Sequence, residues 1–115
     1  MADLLVDTGI FIDHLRGVAP LAPRRHRVHY SVITRAELFA GTTASAAVAR
    51  LLAPFRELPV DRAIAERGGR IRLEAGIPMP DALIAATALE HRLGLASRNV
   101  RHFEAVRGLR LRSLD

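Results

Sequence analysis

Short apolar segments alternate with stretches of helical periodicity along nearly the whole chain, and this alternation restricts the fold more than any other property. Residues 4–6, 28–31, 55–60, 95–97 and 109–114 read as strands. Residues 9–15, 34–41, 44–53, 62–75, 82–93 and 100–106 carry the spacing of helices, with a loop rich in Pro and Arg over 18–27. Strands connected through helices run parallel, and a parallel sheet needs cover on both faces. The expected class is therefore α/β, in one domain over residues 1–115. Asp61 can cap the helix over 62–75, which Gly68-Gly69 should weaken locally. Gly76 to Pro80 forms a breaker segment, and the helix after it is apolar nearly all round, as a buried helix is.

In such sheets ligands bind outside the carboxyl ends of the strands. Asp7 lies just past the first strand, and Glu37 and Asp81 lie on the helical segments that follow two other transitions. Each acid has a plain structural use. Asp7 can be a helix N-cap, Thr34-Arg35-Ala36-Glu37 has capping-box spacing, and Asp81 complements a helix dipole. Three carboxylates meeting at one sheet edge would repel one another strongly unless a divalent cation neutralised them. Hard oxygen ligands suit Mg²⁺ or Mn²⁺, which serve phosphodiester chemistry. Asn99 offers a further oxygen after residues 95–97, while Thr8 and Ser97 offer hydroxyls near Asp7 and Asn99. Turn and capping roles compete for all three.

The formal net charge is +5, and all 17 basic residues are arginine. A GC-rich genome accounts for most of the lysine deficit, but the positive sign is compatible with a polyanionic partner. Without cysteine there are neither disulfides nor thiolate metal sites, in keeping with a reducing cytoplasm. Met-Ala-Asp at the amino end lacks a basic n-region, so no signal peptide is expected, and no apolar run is long enough to span a membrane. The five histidines show no zinc spacing, and His102-Phe103 reads as packing. Asp7-Thr8-Gly9 also matches the aspartic-protease triplet, but that fold is nearly all β, and this chain has at least four helical segments.

Three stretches together resemble the PIN-domain family, and within it the VapC toxins of bacterial toxin–antitoxin pairs. These are LLVDTGIFID, YSVITRAELFAG and PMPDALIAATALEHRLGLASRNVRHFEAV. The third is the most specific, and the three cover essentially the whole chain in order. The resemblance implies a three-layer α/β/α sandwich around a central parallel sheet. It implies a Mg²⁺- or Mn²⁺-dependent endoribonuclease with Asp7, Glu37 and Asp81 as catalytic metal-binding acids and Asn99 at the fourth metal position, supported by Thr8, Thr34 and Ser97. Many relatives have aspartate at that fourth place, Ser97 stands where threonine is commoner, and Gly9 replaces a small polar residue. Arg35, Arg98 and Arg101 would meet RNA phosphates. The same resemblance implies homodimerisation and a VapB-like antitoxin partner. The alternative is a catalytically silent PIN-like module that binds RNA or protein; loss of a core acid would favour it, and none is lost.

Overall fold

The computed structural model describes residues 2–115. β1 (Asp3–Val6) passes through Asp7 into α1 (Thr8–Leu15); β2 (Arg27–Ser31) runs directly into α2 (Val32–Phe39), and α3 (Ser45–Leu52) follows. The remaining elements are β3 (Arg56–Leu58), α4 (Arg62–Ala75), α5 (Met79–Glu90), β4 (Gly94–Ala96) and α6 (Val100–Glu104). All strand pairs are parallel, and the sheet order is β3-β2-β1-β4. The chain steps outward from β1 to β2 to β3, then returns to the far side of β1 for β4. The order thus reverses beside β1, which makes the carboxyl ends of β1 and β4 the place where such sheets hold their ligands.

Side chains alternate across the sheet and build one core on each face. Leu5 pairs in register with Leu95, and both face α4, α5 and α6 in a cluster with Leu58, Ile64, Ile84 and Phe103. Val6 pairs with Ala96, and these join Val28, Tyr30, Phe11, Leu38 and Leu52 under α1, α2 and α3. Phe11 meets Tyr30 edge-on, with ring centroids 5.9 Å apart. The three-layer α/β/α arrangement follows from these two cores. Among the described residues no helix is long and apolar enough to cross a membrane.

Several boundaries differ from the sequence expectation for identifiable reasons. α2 begins at Val32 rather than Thr34, because the Ser31 hydroxyl accepts the Ile33 N–H at 3.0 Å and caps the helix as soon as β2 ends. Thr34 therefore lies inside the first turn, and the capping box with Glu37 is not formed. α5 starts at Met79 because Pro80 falls in its first turn, where a missing N–H costs nothing. It ends at Glu90, and Arg92 at φ 57° turns the chain into β4. The expected strand over 109–114 reduces to a single bridge between Leu95 and Leu111. β4 is only three residues long, so Leu95 alone has both backbone groups free to pair, with Arg110 and Arg112, each at 2.8 Å.

Asp61 caps α4 as expected, accepting the Ile64 N–H at 2.9 Å. The two glycines within α4 do not interrupt it, and they differ from each other. A Cβ on Gly68 would stand 2.6 Å from Leu83 Cδ2 of α5, whereas nothing lies within 4 Å of one on Gly69. Gly68 is thus a close-approach residue between two packed helices, and Gly69 carries only the entropic cost of glycine. Gly69→Ala should stabilise the fold by about 0.5–1 kcal/mol. Gly68→Leu should destabilise it by roughly 1–3 kcal/mol through overpacking. Urea unfolding of both variants checks the pair; a Gly68→Leu protein as stable as the parent would mean that α4 and α5 do not pack tightly there.

Candidate active site

At the carboxyl edge Asp7 lies near enough to Glu37 and Asp81 to feel both charges, and each acid is held by a side chain from another element. Asp7 extends the ladder one rung beyond β1, its N–H donating to Ala96 O at 2.9 Å. It occupies the N-cap position of α1, yet its side chain makes no capping hydrogen bond. Instead its Oδ2 accepts the Ser97 hydroxyl at 2.6 Å, across the break between β1 and β4. Ser97 Oγ in turn accepts the Asn99 N–H at 2.9 Å, which fixes the hydroxyl proton toward Asp7.

A second relay holds Glu37. Thr8 Oγ1 donates to Glu37 Oε1 at 2.7 Å and lies 2.9 Å from Thr34 Oγ1. A hydroxyl has one proton, so Thr8 gives its own to Glu37 and accepts that of Thr34. Thr34 and Glu37 are three residues apart on α2 and share a face, so both can reach Thr8 at the start of α1. Asp81 stands in the first turn of α5, without a capping bond, and its Oδ2 lies 2.8 Å from His102 Nδ1. The Asn99 side chain is not directed at Asp7; its Nδ2 lies 2.7 Å from the same His102 nitrogen.

Sequence reasoning missed two residues here. His102, read as packing, instead faces the acids, while its neighbour Phe103 is buried at 1% exposure. The available signal was its spacing, one helical turn beyond Asn99. Asp13 was also missed: it is buried in α1 and paired with Arg98. An acid inside an otherwise apolar helical segment was the clue to that pair. Arg98 nevertheless keeps 60% of its side chain exposed. Arg35 bonds Glu57 and the Tyr30 hydroxyl, linking α2 to β2 and β3, whereas Arg101 is exposed and forms no ion pair among the described residues. Beside Ser97 and Arg98 lies an open hollow of about 540 Å³, floored by Ile10, Leu111 and Leu114.

Burial pushes the Asp7 carboxyl above the usual carboxylate range; the Ser97 and Thr8 hydrogen bonds pull it down, and the charges of Asp81 and Glu37 push it up again. Both other acids therefore act on Asp7. Among the described residues no three His, Asp or Glu side chains stand close enough together to hold an ion by themselves. Carboxylates and hydroxyls around a water-accessible crevice nevertheless suit Mg²⁺, which keeps several waters and takes only one or two carboxylates directly. Mutual repulsion among the acids is what such an ion would relieve.

A stability prediction follows from the direction of that shift. A carboxyl raised above its unfolded-state value favours folding only while protonated, and this contribution is lost as pH rises through the folded value. Ionised Asp7 thus destabilises the metal-free fold at neutral pH. In chelator at pH 7, Asp7→Asn should melt above the parent, and the gap should close below the ordinary carboxylate range. Thermal melts across pH test this, and an Asp7→Asn protein melting below the parent at pH 7 would show that the charge is well accommodated.

Comparison with known proteins agrees with the geometry. The sequence matches the PIN domain family over residues 4–109. It is 40% identical, over 113 residues, to Ribonuclease VapC10 of Mycobacterium tuberculosis strain H37Rv, covering 87% of this chain and 85% of that one. A toxin-antitoxin complex from Klebsiella pneumoniae contains a chain 31% identical, with a TM-score of 0.73 over 92% of this chain and 94% of the other. A chain of VapBC2 from Rickettsia felis, bound to a promoter DNA fragment, shares the fold at a TM-score of 0.80 over 98% and 99% of the two chains, with 19% identity. With two apolar cores on one parallel sheet and the acids at its switch point, the chain belongs to the PIN domain family.

Proposed function

We propose that this protein is a metal-dependent endoribonuclease, the toxin of a VapBC-type toxin–antitoxin pair. The observation that supports the reading is that Asp7 feels the charges of both Glu37 and Asp81, and that each of the three has one oxygen held by Ser97, Thr8 or His102 rather than by its own helix cap. The identity with a ribonuclease supports the substrate class.

Mg²⁺ or Mn²⁺ held among these acids would neutralise charge at the scissile phosphate and lower the pKa of a water in the site. Asp7 is the fixed anchor, fastened by the Ser97 hydroxyl and the Thr8 backbone N–H. Glu37 spends Oε1 on Thr8 and keeps Oε2 to accept a proton from the attacking water and orient it. Asp81 contributes its charge from a helix N-terminus, where the peptide dipoles offset part of its repulsion. Arg98 and Arg101, both exposed, take the phosphate backbone of the RNA. Arg35 is spent on Glu57 and Tyr30, so its role is to tie α2 to the sheet.

The partners follow from the company this fold keeps. The Klebsiella pneumoniae neighbour is a toxin-antitoxin complex, and a VapB-like antitoxin would be the protein that covers the crevice here. The protein works as a homodimer in the cytoplasm, a reducing compartment that suits a chain without cysteine. Its 115 residues act as one domain.

Cleavage of single-stranded or looped RNA should require added Mg²⁺ or Mn²⁺ and stop in excess EDTA. Asp7→Asn, Glu37→Gln and Asp81→Asn should each reduce the rate about 100-fold or more, since each removes one of few charges able to hold the ion. Gel-resolved cleavage of a labelled RNA reads both effects. Activity undiminished in EDTA would remove the metal from the mechanism, and three variants as active as the parent would return the acids to structural roles.

A further inference from the structure

His102 is the member of the crevice that no reading of the sequence assigned to it, and its surroundings leave it no other evident task. It lies in α6, whose packing is supplied by Phe103, buried at 1% exposure in the core under α5. The His102 side chain is itself 42% exposed, so it contributes little to that core. Its one ring nitrogen with partners, Nδ1, lies 2.8 Å from Asp81 Oδ2 and 2.7 Å from Asn99 Nδ2.

The donors and acceptors at that point resolve in one way. The Asp81 carboxylate offers only lone pairs, so the proton in its contact with the ring is carried by Nδ1. A ring nitrogen that donates to Asp81 has no lone pair left for an amide N–H. The oxygen and nitrogen of the Asn99 amide exchange by a half-turn, which brings Oδ1 to the ring instead. The Nδ1–H is then shared between Asp81 Oδ2 and Asn99 Oδ1. One Asp81 oxygen is pinned, and the other remains for the crevice.

We propose that His102 is a positioning residue of the acid site: its Nδ1–H holds the Asp81 carboxylate by Oδ2 and leaves Oδ1 free to take an ion. This rests on the reading of the crevice as a metal centre. It completes a pattern, since Asp7 and Glu37 each have one oxygen held by a hydroxyl, and Asp81 has one held by an imidazole. A hydrogen bond to a charged carboxylate is of the strong, charge-assisted kind. Groups that orient metal ligands from behind change metal affinity by about 10–100-fold when removed. Asn99, which stands where a fourth acid is common, acts on this arrangement through the ring rather than through the ion.

Calorimetric titration with Mn²⁺ at fixed pH tests the proposal on the parent, His102→Ala and His102→Asn. His102→Ala should weaken binding by about 10–100-fold. His102→Asn should recover most of the loss, because the Asn amide N–H falls close to where Nδ1–H stood. In chelator all three should melt together, which separates positioning from a fold defect. Spin-echo spectra of the Mn²⁺-loaded parent should show no coupling to an imidazole nitrogen. Several outcomes would overturn the assignment. If the parent binds Mn²⁺ and His102→Ala binds it equally well, His102 has no part in the site while the metal reading stands. If the parent itself binds no Mn²⁺, both fall. Nitrogen coupling that disappears in His102→Ala would make His102 a ligand and not a positioner.

Discussion

An ionised carboxylate at the end of a buried central strand is the constraint around which this structure is arranged. β1 is flanked by strands on both edges and covered on both faces, so Asp7 emerges from the driest part of the molecule at 6% exposure. Burial opposes its charge, and Glu37 and Asp81 add to the opposition. The Ser97 hydroxyl and the Thr8 backbone N–H offset part of this cost, but two hydrogen bonds do not cancel desolvation plus two like charges. The apolar cores on either face must therefore carry a locally unfavourable site. Such strain is expected where a charge is kept for binding rather than for stability.

The same acid types do opposite work elsewhere in the chain, and the contrast is instructive. Asp61 sits at the start of α4, is exposed, and spends its carboxylate on the Ile64 N–H. Ser31 does likewise for α2. Asp7 occupies an equivalent N-cap position and Asp81 lies in a first turn, yet neither side chain caps its helix. What separates the two sets is the neighbour across the crevice. Ser97 comes from 90 residues away to meet Asp7, and His102 from 21 residues away to meet Asp81. Local sequence around an acid cannot distinguish these cases, because the deciding partner is brought by the strand order.

This is also where legibility of the sequence begins and ends. The apolar runs that become β1, β2 and β4, and the full extent of α4 with its Asp61 cap, follow from periodicity and local capping rules. So does the carboxyl-edge location of Asp7, because parallel topology implies it. The spacing of Thr34 to Glu37 satisfies a capping box and points to a helix start at Thr34; Ser31, three residues earlier, takes the cap first. Residues 109–114 have strand composition but only a three-residue neighbour to pair with. The Asp13–Arg98 pair and the His102 contact join residues far apart in the chain, and no periodicity encodes them.

The crevice is graded from a rigid floor to a yielding rim, and that gradation bears on how an ion would be taken up. Asp7 and Ser97 are attached to the last rungs of adjacent strands, whose backbone is fixed by the β1–β4 ladder and two cores. Asp81 and His102 lie higher, with side-chain exposures of 20% and 42%, and His102 belongs to a five-residue helix at the surface that Asn99 directly precedes. Short helices with few buried contacts are drawn from the less stable end of a fold. A site whose ligands were all as fixed as Asp7 would hold its repulsion permanently. One whose ligands all sat on the exposed rim would lose too much entropy on closing. With one acid locked and the others tethered by single hydrogen bonds, the floor would supply orientation to an ion, and the rim the small adjustments that coordination and its water shell demand.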